Sequence, residues 1–541
     1  MILTSFTEIP PLVNRRCAVP KFPTITIKSL LLLDINFVRR CIELLQAIIK
    51  DRSLLIRLPE KDQIDLLIAA GRVSRPSRLE QLARRRVYRS EERKRIKTED
   101  RQLLAETHIR SLRREAVFVA PAKPTVNVGP AQDEPTLNTP RNCYICKIKF
   151  DKLHFFYDAM CGPCADFNYS KRFQTASLKG KTAVITGARL KIGYQASLMM
   201  LRAGAKVIAT TRFPQDAARR YSREQDFKDW SERLQVHGLD LRHSPSVEIF
   251  CRYLNSSLEG LDILVNNAAQ TVRRPPAFYQ HLLEWEQPGN PALASDERKL
   301  LRSHEHLKSL LTHAPAALPQ EGPVDATGMA VWHRGGSGIG IKESAMLSQL
   351  KYNYDDADLG LDVFPAGRTD ADLQQVDLRK MNSWRMALAD VPTAEMIELQ
   401  LINSVAPFIL CSKLKPLMLR RKTWDKHIVN VSAMEGSFSR HTKTDKHPHT
   451  NMAKAALNML TLTSAADYAQ DGIYMNAVDT GWVTDEDPIH MSLLKQEIHG
   501  FEPPLDIVDG AARVCDPFFS GLLQGNHLYG KFFKDYAPTN W

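Results

Sequence analysis

Short apolar runs alternate with amphipathic helical stretches along much of the chain. The clearest example combines an apolar run over 181–186, a glycine turn at Gly187, an amphipathic stretch over 192–202 and a second apolar run over 205–210. Short β-rich runs indicate buried strands, and a spacing of three to four residues indicates a helix. The pattern therefore predicts a strand, a turn, a helix and a strand. A βαβ unit with glycine at its first turn is typical of sheets that bind dinucleotides.

The same alternation returns in the C-terminal third of the chain. Apolar runs end in HGLDLRH and in LDILVNNAAQ, and these predict a third and a fourth strand. Further helices are predicted over 393–419, 451–469 and 507–519, and further strands over 427–432, 472–478 and 528–533. Alternating strands and helices at this spacing predict an α/β fold with a doubly wound parallel sheet, covered by helices on both faces.

The N-terminal part does not follow this alternation. Residues 1–120 are predicted to be a helical, charged extension, and residues 121–140, rich in proline and polar residues, a linker. The segment 72–115 combines charges of both signs with helix-forming residues, which predicts an exposed helix. A basic arm for nucleic acid is the alternative. We consider nucleic acid unlikely as a partner, because aromatic residues for base stacking are nearly absent from this segment.

The predicted sheet domain, 177–541, carries an insertion at about 280–393. Helices are predicted near 296–312 and 370–390 within this insertion. The sequence GGSGIG over 335–340 imitates a second nucleotide-binding turn, but no clear strand precedes it and none completes the unit. We therefore interpret it as a loop within a cap. Because the insertion leaves the carboxyl end of a strand, where such sheets bind ligands, this cap is expected to cover the cleft.

Two CxxC pairs precede the first strand of the sheet. They are formed by Cys143 with Cys146 and by Cys161 with Cys164, within a predicted ribbon-like module over 141–176. Each pair presents two thiolates, and two pairs complete a tetrahedral Zn²⁺ site. Four cysteines leave no open coordination position, so the expected zinc is structural. A disulfide or a redox pair is the alternative interpretation.

The overall charge and hydropathy restrict the partners. A net charge of +12 indicates an anionic partner, such as a nucleotide, a nucleic acid or an acidic substrate. The longest apolar stretch, 30–49, is broken by charged residues such as Arg39 and Glu43, so we expect no membrane segment. The N-terminus lacks the layout of a secretory signal, which predicts a cytoplasmic protein, while Arg15 and Arg16 leave an organelle transit peptide open.

The residues after the second strand bear on the choice of cofactor. An NAD-binding domain places an acidic residue there to hold the ribose 2′-hydroxyl, whereas this chain has Thr210, Thr211 and Arg212. A basic residue suits the 2′-phosphate of NADP, and Arg189 in the glycine turn could add to it. A surface salt bridge is the alternative for either arginine. We therefore expect NADP, with NAD less favoured.

Three early motifs together resemble the short-chain dehydrogenase/reductase (SDR) superfamily, whose members have a Rossmann sheet. These motifs, in this order and spacing, are TGxxxxIG over 186–193, DL at 240–241 and NNAA over 266–269. The resemblance covers about 178–280 and 394–541. It implies an oxidoreductase that moves a hydride between a nicotinamide and a carbonyl or alcohol substrate.

The resemblance also implies catalytic positions in the C-terminal part. Ser432 in HIVNVSAMEG would hold the substrate oxygen, and Asn403 in LINSVAPF would anchor a water in a proton relay. Lys454 in HTNMAKAALNML would bind the nicotinamide ribose and lower the pKa of a tyrosine acid. That tyrosine is absent here, because Thr450 occupies its position. A threonine hydroxyl is far too weak an acid to replace a phenol.

The cofactor-binding residues implied by the resemblance come from the glycine turn, the strand ends and the helix of Lys454. They are Thr186, Gly187, Arg189, Lys191, Ile192, Gly193, Arg212, Asp240, Leu241, Asn267, Ala268 and Lys454. The chain departs from the family at the middle glycine of the turn, which is replaced by Lys191. The lysine would either point outward or supplement phosphate binding. The family's Pro-Gly pair after the sixth strand is replaced by Thr480 and Gly481.

Other side chains could take the place of the missing acid or bind the substrate. His447 and His449 lie in the loop that enters the helix of Lys454, and histidine titrates near neutral pH. Glu435 is a further candidate, although all three could be ordinary loop residues. Arg273 and Arg274 follow NNAA and could hold an anionic group of the substrate, or they could form a solvated loop.

The sequence therefore predicts an atypical, NADP-dependent oxidoreductase of SDR type with a structural zinc. Its expected partner is a small carbonyl or alcohol substrate that could be anionic, and the resemblance makes a homo-oligomer an open expectation. The alternative, favoured by the missing tyrosine, is a catalytically silent Rossmann module that binds a dinucleotide as a scaffold or sensor.

Overall fold

The computed structural model of the protein describes residues 35–115, 117–120, 134–287, 289–313, 338–351, 360, 362–440 and 442–541. The chain forms two compact units, Met1–Lys94 and Arg95–Trp541. The domain boundaries expected at residues 120, 140 and 176 stay predictions. Residues 121–133 of the expected linker and residues 335–337 of the GGSGIG stretch lie outside the described residues.

The described part of the first unit consists of helices. They are α1 (Ile35–Lys50), α2 (Glu60–Ser74) and the beginning of α3 (Arg78–Glu106), with a short 3₁₀ turn at Arg52–Arg57. Neither α1 nor α2 has a buried residue. The charged segment that was predicted to be an exposed helix forms α3, and α4 (His108–Arg114) follows it in the second unit.

An eight-stranded sheet forms the centre of the second unit. After the hairpin of β1 (Thr136–Asn142) and β2 (Lys149–Lys152), the sheet strands are β3 (Thr182–Thr186), β4 (Lys206–Thr211), β5 (Leu234–Gly238), β6 (Ile263–Asn266), β7 (Lys426–Ser432), β8 (Ile473–Asp479), β9 (Phe532–Lys534) and β10 (Ala537–Thr539). Their order is β10-β9-β8-β7-β6-β3-β4-β5, and only the β9–β10 pair is antiparallel. The order reverses between β3 and β6, so the predicted doubly wound parallel sheet is confirmed.

Helices cover both faces of this sheet. The remaining helices are α5 (Gly162–Lys171), α6 (Lys191–Arg202), α7 (Pro214–Ser222), α8 (Phe227–Trp230), α9 (Ser244–Ser257), α10 (Pro276–Leu283), α11 (Ser295–His313), α12 (Ile339–Lys342), α13 (Thr393–Gln400), α14 (Ala406–Leu419), α15 (Pro448–Ala469), α16 (Ile489–His499) and α17 (Ile507–Gln524). On one face, α6 and α17 bury Leu201 and Phe518 against the sheet. On the other face, α9 and α14 bury Phe250 and Leu414.

The helix predicted over 393–419 is interrupted. A π-helical turn, Leu401–Val405, separates α13 from α14. By length and composition the stretch Thr393–Leu419 could cross a membrane, but 56% of its apolar window is buried inside the protein. Its Leu410 and Leu414 lie in the core on one face of the sheet, which is the setting of a core helix.

The insertion is only partly helical. Helix α11 confirms the helix predicted near 296–312, whereas the helix predicted near 370–390 is wrong. That segment contains 3₁₀ turns at Ser383–Arg385 and Leu388–Asp390 and an isolated bridge between Thr369 and Gln375. The side chains of Asp370, Asp377 and Asn382 accept hydrogen bonds from backbone amides two to four residues further on, and such local bonds favour turns over a continuous helix.

The cysteine-containing segment shares its core with the sheet domain. Hairpin β1–β2 begins within the expected linker, and the buried Cys143 and Phe156 pack with Leu505 and Val508 beside the start of α17. The Arg172 guanidinium donates to both carboxylate oxygens of Asp506 at 2.7 and 2.9 Å. Burial opposes ionisation of Asp506, but Arg172 holds the pKa of this carboxyl below its usual value.

Replacing Arg172 is expected to destabilise the second unit strongly. Its side chain is 1% exposed and also lies 2.8 Å from Asp509, so Arg172→Ala would leave two buried carboxylates without their cation. Loss of one partner from such a group costs about 3–5 kcal/mol, measurable by urea unfolding. The control is Arg202→Ala, since Arg202 pairs with Asp226 while 44% exposed and should cost less than about 1 kcal/mol. Equal effects of the two variants would contradict this prediction.

Candidate dinucleotide cleft and metal centre

A cleft of about 440 Å³ opens where the strand order reverses, at the carboxyl ends of β3 and β6. This is the position at which open α/β sheets bind ligands. The walls of the cleft come from the turn after β3, the ends of β4, β5 and β6, and the ends of β7 and β8. Predicted residues on these walls are Gly187, Arg189, Lys191, Ile192, Gly193, Arg212, Asp240, Leu241, Asn267, Ala268, Ser432 and Lys454.

The glycine turn packs so closely on the end of β6 that there is no room for a side chain at Gly187 or Gly193. Gly187 has a φ of +67°, and a Cβ there would lie 2.8 Å from Ala268 Cα. A Cβ on Gly193 would lie 2.3 Å from Gly187 O and 2.4 Å from Asn267 Nδ2. Asn267 Nδ2 donates to the carbonyls of Thr186 and Gly187 at 2.9 and 3.1 Å. The open backbone beside the start of α6 suits a pyrophosphate, which helix N-termini favour.

Thr186 and Lys191, two predicted residues of the turn, differ in position and conformation. Thr186 is buried beneath the turn, where its Oγ1 accepts a hydrogen bond from the Ala268 amide at 3.0 Å. Lys191, at the position of the family's middle glycine, has a φ of +54°. The left-handed region costs a residue with a Cβ about 1–2 kcal/mol. The chain therefore keeps the glycine-like backbone of this turn while placing an ammonium on the cleft wall.

The two arginines expected near a 2′-phosphate have different partners. Arg189 Nη1 donates to Asp216 at 2.8 Å, so its charge is already paired. Arg212 Nη2 donates to the Tyr279 hydroxyl at 2.7 Å, and the guanidinium lies 4.6 Å from the centre of that ring. Because its partner is a neutral phenol, Arg212 is the better placed of the two to receive an anion.

Asp240 forms an ion pair with Arg242, which the sequence analysis did not predict. Its carboxylate accepts from Arg242 Nε at 3.0 Å and from Arg242 Nη2 at 2.6 Å, and Arg242 also donates to Glu398 at 2.7 Å. Asp240 is fully buried; although burial opposes ionisation, Arg242 holds the pKa of this carboxyl below its usual value. Glu398 is distant in sequence, so the only local signal of this cluster is the spacing of two residues between Asp240 and Arg242.

Asn403 lies in the π-helical turn, behind the wall of the cleft. Its Oδ1 accepts from the Gln270 amide and its Nδ2 donates to the Gln270 carbonyl, both at 2.8 Å. These paired bonds fix the strand-like segment after NNAA, and Gln270 itself lines the cleft. Asn403 therefore fixes the position of Gln270 on the cleft wall, and it does so from within a π-helical turn, an irregularity that is frequent at functional sites.

The three remaining catalytic candidates lie at the end of β7 and in the first two turns of α15. Lys454 Nζ donates to the Val431 carbonyl at 2.8 Å, and burial lowers the pKa of this lysine to about 8. Ser432 Oγ donates to the Asn458 side chain, a partner that the sequence analysis did not identify. Thr450 is buried, and its Oγ1 donates to the Thr271 carbonyl at 3.3 Å. Ser432 and Lys454 line the cleft, whereas Thr450 does not.

The other acid candidates differ in their surroundings. His449 is 2% exposed, and neither of its ring nitrogens has a hydrogen-bond partner among the described residues. Burial, reinforced by His447, lowers the pKa of His449 to about 4. His447 stacks on Trp384 with ring centres 3.9 Å apart. Glu435 pairs with Arg440 at 3.1 Å. His449 is therefore a neutral imidazole with free hydrogen-bonding capacity.

The two arginines after NNAA, Arg273 and Arg274, lie in different environments. Arg273 is buried, its backbone amide donates to Glu395 at 2.7 Å, and its guanidinium lies 3.4 Å from Glu398. Arg274 lines the cleft and pairs with Asp377 from the insertion. Gln374 of the insertion also lines the cleft, so the inserted segment forms part of its wall.

The four cysteines of the two CxxC pairs come together beside this domain. Their sulfur atoms all lie within 4.8 Å of one another, and the sulfurs of Cys146 and Cys161 are 3.6 Å apart. Zinc–sulfur bonds of about 2.3 Å in a tetrahedron require sulfur–sulfur distances of about 3.8 Å, so this arrangement fits the metal. Burial would raise the pKa of Cys143, but backbone N–H groups, led by that of Cys161, outweigh it and lower the pKa to about 7.

Comparison with known proteins identifies two family models that match parts of the chain. The short chain dehydrogenase family model matches residues 181–287, and a second family model, Enoyl-(Acyl carrier protein) reductase, matches residues 380–494. Over 390 residues the chain is 29% identical to an uncharacterized protein of Acanthamoeba polyphaga mimivirus, covering 70% of this chain and 71% of that protein.

Named dehydrogenases match shorter parts. The chain is 30% identical over 133 residues to an NADP-dependent 3-hydroxy acid dehydrogenase of Escherichia coli (strain K12), covering 23% of this chain and 51% of that enzyme. A dehydrogenase/reductase from Sinorhizobium meliloti 1021 is 17% identical, with 68% of this chain and 96% of that chain covered and a TM-score of 0.39. The chain thus spans only about half the length of the Escherichia coli enzyme.

The matched segments contain the glycine turn, NNAA, Ser432 and Lys454, all of which meet at the cleft. On this basis the chain belongs to the short-chain dehydrogenase/reductase superfamily. The resemblance inferred from the sequence motifs is confirmed.

Metal analysis of the four-cysteine site gives a direct prediction. Four thiolates in this geometry should retain about one zinc per chain through purification. Cys146→Ser removes one of the four sulfurs and should release the metal and lower the unfolding temperature of the module. Cys41→Ser is the matched control, because Cys41 lies outside this cluster. Elemental analysis and thermal unfolding would refute the zinc site if the purified wild-type protein held no metal and unfolded at the same temperature as Cys146→Ser.

Proposed function

We propose that the protein is an NADP-dependent oxidoreductase that moves a hydride between a nicotinamide and a small carbonyl or alcohol substrate. The observation that carries this proposal is the cleft itself. The Gly187–Gly193 turn at its phosphate end and the Ser432–Lys454 pair at its other end face one cavity at the strand reversal. This combination provides both a dinucleotide cradle and polar groups for a reacting oxygen.

The residues of the cleft would share the binding of the dinucleotide. The pyrophosphate would lie on the backbone of the glycine turn, with the Lys191 ammonium adding charge at the start of α6. Arg212 would hold the 2′-phosphate that distinguishes NADP from NAD, with Arg189 held beside it by Asp216. Lys454, which donates to the Val431 carbonyl in the present structure, would donate to the nicotinamide ribose.

The nicotinamide would supply the hydride, and this chain would hold the substrate and move a proton. Ser432 would have to rotate its hydroxyl away from Asn458 to bind the substrate oxygen. Thr450 occupies the position of the family's acid, and the buried imidazole of His449 is adjacent to it in sequence. Arg274 is a cation on the cleft wall that could meet an anionic substrate if it releases Asp377.

A second function is favoured by a specific observation. The hydroxyls of Ser432 and Thr450 and the amide of Asn403 are all engaged by neighbouring protein groups. Internal pairing of these three candidate catalytic side chains suits a dinucleotide-binding scaffold or sensor without hydride transfer. The retained Lys454 and glycine turn serve binding in either case.

We also propose a structural zinc, a cytoplasmic location and self-association. The outer face of α15 exposes Met452, Met459 and Leu462, and α14 exposes Phe408, which together give an apolar surface suited to a second copy. Neither nucleic acid nor a membrane is part of the proposal, because the site that defines it is a small-molecule cleft.

Titration with NADPH and NADH tests the proposed cofactor. We expect micromolar binding of NADPH, followed by nucleotide fluorescence, and weaker binding of NADH. Arg212→Asp should weaken NADPH binding about 10- to 100-fold with little effect on NADH, because it removes a charge-assisted hydrogen bond to the 2′-phosphate. Arg223→Asp, which changes an exposed arginine after α7, is the matched control. If neither NADPH nor NADH binds, the oxidoreductase proposal is wrong.

The variant Thr450→Tyr separates the enzyme from the scaffold. It restores the family's phenol four residues before Lys454, whose neighbouring charge can lower the pKa of a phenol. If the wild-type protein is a silent scaffold, reduction of simple carbonyl compounds by NADPH should appear only in the variant. If it is an enzyme, turnover should already be present in the wild-type protein. Thr463→Tyr places the same ring at an exposed position of α15 and serves as the control.

A further inference from the structure

The segment between β8 and α17 has two sides with different contacts. On one side, Thr480 and Glu486 line the dinucleotide cleft. On the other side, Val483 and Leu505 are buried in the same apolar cluster as Cys143 and Phe156. One chain segment therefore contributes both to the wall of the cleft and to the apolar core of the four-cysteine module.

Tyr144 makes a direct polar contact between the module and the near end of this segment. Its hydroxyl accepts a hydrogen bond from the Trp482 backbone amide at 3.0 Å. The adjacent Gly481 has a φ of +76°, and a Cβ there would lie 2.5 Å from Leu505 and 3.2 Å from the Tyr144 hydroxyl. The backbone immediately after Thr480 thus passes through a narrow gap between Leu505 and the phenol.

The position of Tyr144 depends on the metal-binding knuckle. It directly follows Cys143 and precedes Cys146, so two of the four sulfur ligands flank it. Its amide donates to the Ala159 carbonyl at 2.8 Å, which connects it to the second pair of cysteines across the module. A module of this size has little apolar core of its own, and a bound metal commonly supplies the missing folding energy.

The far end of the same segment is held by a different part of the module, because Arg172 directly follows α5, the helix that contains Cys164. Asp506 begins α17 and is bound by the buried Arg172. Loss of the Tyr144 hydrogen bond alone would therefore act at the near end, where Thr480 and Glu486 face the cleft.

We propose that Tyr144 is a positioning residue, through which metal occupancy of the four-cysteine site sets the position of the 480–486 wall of the dinucleotide cleft. Metal loading would then tune ligand affinity in the cleft without any metal contact to the ligand. The identity of that ligand rests on the proposed function, whereas the coupling between knuckle and wall does not.

Hydrogen–deuterium exchange on the full-length protein tests this coupling directly. Tyr144→Phe removes the acceptor for the Trp482 amide and keeps all four cysteines. We expect peptides covering 480–486 to exchange several-fold faster in this variant while zinc stays at about one per chain. Chelation of zinc from the wild-type protein should accelerate the same peptides. Tyr169→Phe is the matched control, because it removes a phenol hydroxyl from a ring of the same module that packs on Phe155 and Phe173.

NADPH affinity supplies the second readout. Loss of one hydrogen bond that orders the wall should weaken binding about 2- to 10-fold in Tyr144→Phe and not in Tyr169→Phe. Unchanged exchange over 480–486 in both Tyr144→Phe and the chelated protein would overturn the proposal. Faster exchange in a protein that binds no NADPH would support the coupling and at the same time refute the NADP-dependent function.

Discussion

The close contact between the turn after β3 and the end of β6 determines the shape of the whole ligand-binding region. The two strands are neighbours at the reversal of strand order, so their carboxyl ends diverge into opposite helices and leave a crevice. The crevice is usable because Gly187 and Gly193 bring the backbone within van der Waals contact of Ala268 and Asn267. Any larger residue at these two positions would separate β3 from β6 and fill the space that a pyrophosphate needs.

Several polar side chains around the glycine turn and the cleft form hydrogen bonds with neighbouring groups of the chain. Asp240 is paired with Arg242, Asn403 with the backbone of Gln270, and Ser432 with Asn458. Each pairing satisfies a buried group that would otherwise cost free energy. A ligand must therefore compete with internal partners, and its binding is expected to depend more on contacts of its phosphates with the glycine turn than on Asp240, Asn403 and Ser432.

Local patterns predicted the sheet well, because buried strands and amphipathic helices are visible within a few residues. The strands over 182–186, 206–211 and 473–479 agree with apolar runs to within one or two residues. The antiparallel strand Ala537–Thr539 was missed. It is formed across a turn in which Asp535 and Tyr536 both have positive φ, without the glycine that normally signals such a turn.

The candidate site was less predictable than the sheet. Motif positions showed which residues would approach the cleft, but their partners are distant in sequence. Glu398 lies 156 residues from Arg242, and Asp506 lies 334 residues from Arg172. No local pattern contains such pairs, so the sequence analysis did not predict the buried ion pairs of Arg242 with Glu398 and of Arg172 with Asp506.

The shared core of the four-cysteine module explains why the cleft of this chain is not built by the sheet domain alone. A parallel sheet orders the strand ends, but the segments that leave β8 must be ordered by something else. Here Tyr144, Val483 and Leu505 connect that segment to the knuckle, and Arg172 binds the start of α17. The module therefore acts on the cleft by limiting the conformations of its wall, which lowers the entropy that a ligand must remove on binding. In the proposed coupling a bound metal would only have to hold the knuckle rigid, which is the role of closed structural zinc sites.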